Sequence, residues 1–433
     1  MNFVDYCKWR GDLSFKRDPF NEIDNMCFAQ IAYCELDGII QENEKKTLKE
    51  VSDLFFAAHD EEELEKSKAF SRMSPFLMRE MAKTKRFSSC MVYNYSDKLL
   101  PDKTKQFAAV MFDLPDESTV IAFRGTDDTL VGWKEDLMLS YGDIPSQFDA
   151  LEYVNTHCTM FNKYRVVGHS KGGYLALYAT VKAKPSVKKR IIEVYSNDGP
   201  GLRENEYSDE DRNIIENKYK LIVPEKDGVG MIYEMARNKK ICKVNVFSII
   251  SAHSMFTWQV EGTKVLEADK FKYESDLSRE VIKDILKETT KEERAIFVEE
   301  LFKHLAEEQI DTLSEFGKRG IPIIYSTLKK LTDDDQGSRI FAGKMLKIFS
   351  RNISSDLQQG LSTRKDIVIE KVADLGSDFS QTIMEKKDKV FGKVSDLGNS
   401  ASQKIKGMLP KKKSEQTADE TEETGDFENV TQK

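Results

Sequence analysis

The feature that most constrains this chain is a serine between two glycines, in the run Gly168-His169-Ser170-Lys171-Gly172. A short apolar run at residues 165–167 precedes it, and a helical pattern begins at Tyr174. This context predicts a strand, a sharp turn and a helix, with the serine hydroxyl exposed at the end of the strand and above the helix N-terminus. An unremarkable serine in a glycine-rich connection is the alternative, and the flanking strand and helix signals favour the first interpretation.

Strand and helix patterns alternate on both sides of this turn. Short apolar runs bounded by turn residues predict strands. They lie at residues 107–112, 119–123, 165–167, 191–195, 219–223 and 244–250. Such alternation indicates a mostly parallel sheet covered by helices, and together with the serine turn it predicts an α/β-hydrolase fold.

Composition divides the 433 residues into five regions. Residues 1–95 are predicted to form a helical flank or cap, 96–272 the α/β core, and 273–350 a helical C-terminal part. Residues 351–410 repeat apolar positions every eleven residues, a period of three helical turns that predicts one long apolar stripe. Residues 411–433 are rich in acidic side chains, and we expect this tail to be disordered.

The apolar stripe has two physical uses. Residues 361–408 can pack on a partner helix, or they can lie in a lipid–water interface with Lys386 and Lys393 near anionic headgroups. Four glycines in this segment weaken an isolated helix, which favours helix packing over the lipid surface.

Charge and cysteine spacing narrow the classes of partner and cofactor. The formal net charge of -8 gives no reason to expect nucleic acid as a partner. The six cysteines contain no CxxC pair, and no His and carboxylate cluster has ligand spacing, so we predict reduced thiols and neither a metal nor another cofactor. No apolar signal region is visible, nor a run of about 18 apolar residues, which predicts a cytoplasmic protein, peripheral at membranes if the stripe binds lipid.

A serine hydroxyl at neutral pH needs a histidine base, and the base needs a carboxylate that fixes its tautomer. His253 follows the apolar run at residues 244–250 and comes after Ser170, as the order serine, acid, histidine of this fold requires. The other histidines precede the serine, lie inside its turn pointing away from the reaction, or belong to a late helical pattern: His59, His157, His169 and His304.

Two aspartates that end predicted strands are candidates for the acid. Asp227 follows the strand at residues 219–223, and we favour it because the acid usually comes from a later strand than the one beside the nucleophile. Asp198 we interpret mainly as a turn residue before a Gly-Pro pair, and it stays the alternative acid.

Acyl transfer also needs donors for the oxyanion, one from the residue after the serine and one from an earlier loop. Lys171 supplies the first backbone N–H. For the second, the strand at residues 119–123 turns through Gly125, which leaves Thr126 with an N–H and a hydroxyl free to donate. An aspartate-rich turn without function explains this run equally well.

Three motifs resemble the pattern of class 3 lipases. They are Phe123-Arg124-Gly125-Thr126, Gly132-Trp133-Lys134-Glu135-Asp136-Leu137 and the GHSKGG turn, an instance of GxSxG. Over residues 20–316 the chain resembles an uncharacterised bacterial branch of these lipase-like hydrolases. The resemblance implies that Ser170 is the nucleophile, Asp227 the acid and His253 the base. It also implies that Thr126 and Lys171 donate to the oxyanion. Only 26 residues separate Asp227 from His253 (253 − 227), fewer than is typical of class 3 lipases, which implies a different lid and acyl groove.

The leading prediction is a serine-dependent carboxylic ester hydrolase, a lipase, esterase or lysophospholipase. It would form an acyl-enzyme on Ser170 from an ester or lipid substrate and hydrolyse it with water activated by His253. Two alternatives remain. One is an inactive interaction protein of the same fold that acts through its helical flanks, and the other is an acyltransferase with an acceptor other than water.

Overall fold

The computed structural model describes residues 1–348, apart from residues 68, 70, 237, 311, 333–336 and 346. These residues belong to one compact unit, Met1–Asp356. The apolar stripe predicted at residues 351–410 and the tail predicted at 411–433 lie outside the described residues. The division of the remaining chain at residues 95 and 272 stays a prediction.

An eight-stranded sheet forms the centre of the described part of the chain. Its strands are β1 (Lys45–Thr47), β2 (Met91–Leu100), β3 (Lys105–Asp113), β4 (Ser118–Phe123), β5 (Lys163–His169), β6 (Ile191–Asn197), β7 (Tyr219–Pro224) and β8 (Lys239–Cys242). The strands lie in chain order, with antiparallel pairing from β1 to β4 and parallel pairing from β4 to β8. The sheet is therefore mostly parallel, as predicted.

Helices cover both faces of this sheet. They are α1 (Phe3–Arg10), α2 (Glu22–Ile31), α3 (Leu48–Ala58), α4 (Glu61–Lys66), α5 (Ser74–Ala82), α6 (Leu130–Met138), α7 (Pro145–His157), α8 (Lys171–Lys182), α9 (Pro185–Lys188), α10 (Arg212–Asn217), α11 (Ile249–Ala252), α12 (Tyr273–Glu288), α13 (Lys291–Glu307) and α14 (Leu313–Thr332). A small hairpin of β9 (Val260–Glu261) and β10 (Lys264–Val265) lies between α11 and α12. The predicted α/β-hydrolase fold is confirmed.

Side chains alternate between two cores across the sheet. In β4, Val120 and Ala122 pack in the core that α1, α2, α3 and α5 share, whereas Ile121 and Phe123 pack in the core of α7 and α8. The N-terminal helices are therefore one of the two layers that bury the sheet, and not only a flank or cap.

Two element predictions are wrong. Residues 45–47 and 91–100 are strands of the sheet although residues 1–95 were expected to be helical. Residues 244–250 contain no strand of the sheet: Val244 makes an isolated bridge to Trp258, and α11 begins at Ile249. A short apolar run has no periodicity that separates a strand from a loop. In this run Val244 and Val246 pack against the core, whereas Phe247 and Ile250 are exposed.

Buried charges fix α2 against the rest of the N-terminal layer. The Asn21 side chain accepts from the backbone N–H of Ile23 and Asp24, and Asp24 accepts from the Asn21 N–H, which closes a capping box. Asp24 also receives two hydrogen bonds from Arg86, of 2.7 and 2.5 Å, and both side chains are fully buried. This anchor matters for the site because α2 and the turn after it carry two residues to the sheet edge.

In the described part of the chain, none of the helices combines the length and apolar character needed to cross a bilayer.

Candidate active site

Ser170 lies on a strained turn between β5 and α8. Its backbone has φ 56° and ψ −131°, in the left-handed half of the map that side chains rarely adopt. A Cβ atom at Gly168 would lie 2.1 Å from the Gly172 carbonyl, and one at Gly172 would lie 2.2 Å from the carbonyl oxygen of Phe123. Both glycines are therefore sterically required, and the predicted strand, turn and helix are present.

Ser170 is 9% exposed and lines a cavity of about 360 Å³. Most of the cavity wall is apolar. The apolar residues around it are Tyr33, Trp133, Leu137, Leu139, Pro200, Val229, Ile232, Ile249 and Ile250. Four of the five site residues predicted from the sequence line this cavity: Thr126, Ser170, Lys171 and His253. The fifth, Asp227, does not.

His253 follows α11 and contacts a carboxylate. Its Nδ1 atom lies 2.6 Å from Oδ2 of Asp198, which is the first residue after β6. The sequence favoured Asp227 as the acid, with Asp198 as the alternative, and the aspartate that contacts His253 here is Asp198. The segment after β8 runs back across the sheet edge, so that His253 also reaches the end of β5, where its carbonyl oxygen accepts from Nε2 of His169 at 2.8 Å. Whether Asp198 or Asp227 acts in catalysis stays a prediction.

Asp227 lies directly behind Asp198. The backbone N–H of Gly230 lies 2.9 Å from Oδ1 of both carboxyl groups, and the N–H of Val229 also donates to Oδ1 of Asp227 at 2.9 Å. Burial raises the pKa of Asp198 to about 7. Burial and the neighbouring charge of Asp198 raise the pKa of Asp227 well above its ordinary value.

The His253 imidazole is suited to act as a base. Burial lowers its pKa to about 4, an effect that the Asp136 charge opposes, so the ring is neutral at pH 7. Because the Asp198 carboxylate accepts, Nδ1 carries the ring proton and Nε2 is the basic nitrogen. Among the described contacts, no hydrogen bond joins Ser170 Oγ to His253, although both line the same cavity. Such bonds often tighten only when a substrate is bound.

His169 holds the backbone of His253. Since a carbonyl only accepts, Nε2 of His169 donates to the His253 oxygen, and Nδ1 accepts from the Tyr33 hydroxyl at 2.8 Å. The two imidazole rings lie 4.6 Å apart, centre to centre. Burial lowers the pKa of His169 well below its ordinary value, in agreement with a neutral ring. His169 therefore positions His253, a role that the sequence could not reveal because Tyr33 is 136 residues away.

The N-terminal layer contacts the site a second time. Asn25 of α2 and Asn197 of β6 exchange amide hydrogen bonds of 2.9 and 3.1 Å. Asn197 also donates to the Gly168 carbonyl, and its own carbonyl accepts from the Ser170 N–H at 2.9 Å. Hydrogen bonds through Asn197 thus connect the turn that carries Ser170 to α2.

Thr126 and Lys171 are the predicted oxyanion donors, and both line the cavity. Neither backbone N–H donates to another group of the described residues. The Thr126 hydroxyl is not free, contrary to expectation, because it donates to Oδ2 of Asp136 at 2.6 Å. Burial raises the pKa of Asp136 to about 6, so this carboxylate is ionised and accepting at pH 7. The predicted role of Thr126 as an oxyanion donor therefore falls to its backbone N–H.

Lys171, the residue after Ser170, is held in place by the contacts of its own buried side chain. Its ammonium is fully buried, 2.7 Å from Oε2 of Glu135 and 3.1 Å from the carbonyl oxygen of Gln106. Glu135 in turn accepts from the backbone N–H groups of Gln106 and Ser146. This buried pair joins the start of α8 to α6 and β3.

The C-terminal helices back one wall of the cavity. Trp133 of α6 lines the cavity and packs on Phe302 of α13 and Phe316 of α14, with ring centres 5.2 and 4.3 Å apart. Lys134 forms an ion pair of 2.7 Å with Glu299. The position of α6 beside the cavity thus depends on residues that follow the sheet by more than fifty positions.

A family model described as Mbeg1-like matches residues 81–303, slightly more than half of the chain. The chain belongs to the Mbeg1-like family. The matched segment of this Mbeg1-like protein contains Thr126, Ser170, Asp198, Asp227 and His253, and it excludes α2. A solved structure of M37 lipase is 15% identical, with 57% of this chain and 81% of that chain covered and a TM-score of 0.29. No curated protein matches this chain.

Proposed function

We propose that this Mbeg1-like protein is a serine-dependent carboxylic ester hydrolase of the lipase, esterase or lysophospholipase type. Ser170 is the nucleophile, His253 the base and Asp198 the acid. The observation that carries the proposal is the 2.6 Å contact between His253 Nδ1 and Asp198, in the same cavity as a serine on a strained strand-to-helix turn.

The groups account for both halves of the reaction. Ser170 Oγ attacks the ester carbonyl carbon while His253 Nε2 takes its proton, and Asp198 stabilises the imidazolium that forms. The N–H groups of Thr126 and Lys171 hold the oxyanion. His253 then protonates the leaving alcohol, which leaves an acyl ester on Ser170. A water molecule attacks this ester while His253 takes its proton, and His253 returns that proton to Ser170 Oγ as the acid product leaves.

The cavity supports an ester with an apolar acyl group. Its walls are mainly aliphatic and aromatic, and the ammonium of Lys171, the residue after Ser170, is neutralised by Glu135. The Asp136 carboxylate also lines the cavity and repels an anionic substrate group. We therefore expect uncharged acyl chains to be preferred over acyl groups that end in a carboxylate.

Labelling with a fluorophosphonate probe tests the nucleophile. We expect the folded wild type to be labelled, Ser170→Ala to lose the label, and Ser251→Ala to keep it, since Ser251 is an exposed serine two residues from His253. Hydrolysis of a chain-length series of nitrophenyl esters should fall about 10⁴-fold in Asp198→Asn, because the amide favours the wrong tautomer of the base. A folded wild type that neither takes the probe nor cleaves any ester of the series would favour an interaction protein. Product analysis with competing alcohols separates hydrolysis from acyl transfer.

A partner for residues 361–408 remains a separate proposal that rests on the sequence alone. Binding to anionic vesicles, compared between the full chain and a chain that ends before Leu361, tests the lipid surface. Equal binding by the two chains would leave a partner helix as the use of the apolar stripe.

A further inference from the structure

Two aspartates share one buried site at the ends of β6 and β7. The single N–H of Gly230 lies 2.9 Å from Oδ1 of Asp198 and 2.9 Å from Oδ1 of Asp227. The two side chains are within hydrogen-bonding contact of each other, and the residues are only 0% and 1% exposed.

No cation compensates two negative charges here. Neither aspartate forms an ion pair with a lysine or arginine among the described residues, and the ammonium of the adjoining Lys226 is bound to the Phe247 carbonyl at 2.7 Å. The contact with His253 does not supply a positive charge, because burial keeps that imidazole neutral at pH 7. Two carboxyl groups so close in a dry site cannot both be ionised, so the pair retains one proton.

The donors around the pair show which group retains it. Asp198 receives a donor on each oxygen, from Gly230 on Oδ1 and from His253 on Oδ2. Asp227 receives donors on Oδ1 alone, and its Oδ2 atom is buried with no donor in the described part of the chain. An oxygen that has no donor is the place for a hydrogen, and the higher pKa of Asp227 agrees with this choice.

We propose that Asp227 is a neutral carboxylic acid whose Oδ2–H donates to Asp198, so that one negative charge lies behind His253. Asp227 is then a positioning residue: it touches neither substrate nor the reacting atoms, and it orients the carboxylate that orients the base. A second anion in its place would raise the pKa of His253 and remove a hydrogen bond from Asp198. The other groups that face His253 are the Asp136 carboxylate and the neutral ring of His169.

Infrared spectroscopy tests the protonation without reference to activity. At pH 8 we expect the C=O stretch of a protonated, buried carboxylic acid in the wild type, and its loss in Asp227→Asn. Asp209→Asn changes an exposed aspartate and should leave the band in place. Absence of the band from the wild type, or its persistence in Asp227→Asn, would overturn the proposal.

The pH dependence of stability gives a second readout of the same proton. The unfolded Asp227 ionises above its ordinary pKa of 3.8, whereas the folded one keeps its proton, so the folded state binds more protons and loses stability as pH rises. The unfolding equilibrium constant of the wild type, divided by that of Asp227→Asn, should therefore rise between pH 4 and pH 7 by up to about tenfold per pH unit. A ratio that is flat or falls with pH contradicts the proposal.

The consequence for catalysis rests on the proposed function. Asparagine at position 227 still offers an N–H to Asp198, so kcat/KM of Asp227→Asn at pH 7 should stay within about threefold of the wild type. Asp227→Ala offers none, and we expect a loss of about 10- to 100-fold, the value of a hydrogen bond to a charged group. If Asp227→Asn loses as much as Asp198→Asn, Asp227 is the ionised acid and the proposal is wrong. If Ser170→Ala leaves ester hydrolysis unchanged, the proposed function fails, while the infrared and stability results still decide the protonation.

Discussion

Replacement of Lys171 by methionine tests how the residue after Ser170 is held in place. The ammonium has three acceptors, at 2.7 Å on Glu135 and at 3.1 and 3.4 Å on the carbonyl and side-chain oxygens of Gln106. Methionine keeps the length of the side chain and removes its charge. Glu135 then keeps its two backbone N–H donors but becomes a buried anion with no cation against it.

The magnitude follows from the burial of the pair. Both side chains are 0% exposed, and removal of one partner from such a pair costs about 3–5 kcal/mol, because the other charge stays in a dry interior. Glu135→Gln should cost a similar amount, since the ammonium then keeps the two Gln106 acceptors but has no carboxylate closer than Asp136, at 4.0 Å, among the described residues. The double variant Lys171→Met with Glu135→Gln removes both charges of this pair, so its loss should fall short of the sum of the single losses by about 3 kcal/mol or more.

Urea unfolding of the wild type, the two single variants and the double variant measures this coupling. Lys171→Arg keeps the charge and serves as the matched control for changes of shape. The folded Lys171→Met protein should retain kcat/KM within about tenfold of the wild type, because the proposed oxyanion donor is a backbone N–H that methionine also has. Single losses that add up in the double variant, or that stay below about 1 kcal/mol, would refute the reasoning on stability. A loss of about 10³-fold in kcat/KM of folded Lys171→Met would refute the assignment of the oxyanion donor to the backbone N–H of this residue.

Three further predictions concern the groups around Ser170. We expect kcat/KM for a neutral ester to fall as pH is lowered from about 7 to about 4, because Asp198 must be ionised and His253 neutral. A flat profile from pH 8 to pH 4 would contradict this prediction. Thr126→Val should lower the free energy of unfolding by about 1.5–3 kcal/mol, through the lost bond to a carboxylate, and lower kcat by less than about tenfold. A fall of about 10²- to 10³-fold in kcat would instead assign its hydroxyl to the oxyanion. Phe302→Ala removes the ring that packs against Trp133 and should lower the free energy of unfolding in urea by about 3–5 kcal/mol. We expect KM to rise more for esters of long acyl chains than for acetate esters. An equal rise for both would show that Trp133 does not contribute to acyl binding.

Local patterns in the sequence were sufficient to predict the centre of the fold. The strands at residues 107–112, 119–123 and 219–223 lie within one or two residues of β3, β4 and β7. The turn at Ser170 was predictable because its steric demand falls on the two adjacent glycines, which are visible in the sequence. These features depend on interactions between residues only a few positions apart.

Which aspartate contacts His253 was not predictable in the same way. Asp198 and Asp227 both end parallel strands at one edge of the sheet, and chain order makes either available to a later histidine. Which of them meets His253 depends on how far the segment after β8 runs back across the sheet, and an apolar run that resembled a strand concealed that path.

The sequence by itself determined where the strand, turn and helix around Ser170 lie, because steric clashes and side-chain periodicity act between neighbours in the chain. Only the tertiary structure decided that α2 is a layer of the core, that Tyr33 holds His169, and that Asp198 meets His253. The contacts of Tyr33 and Asp198 join residues 136 and 55 positions apart, and no local pattern encodes them because they form only when distant segments are buried together.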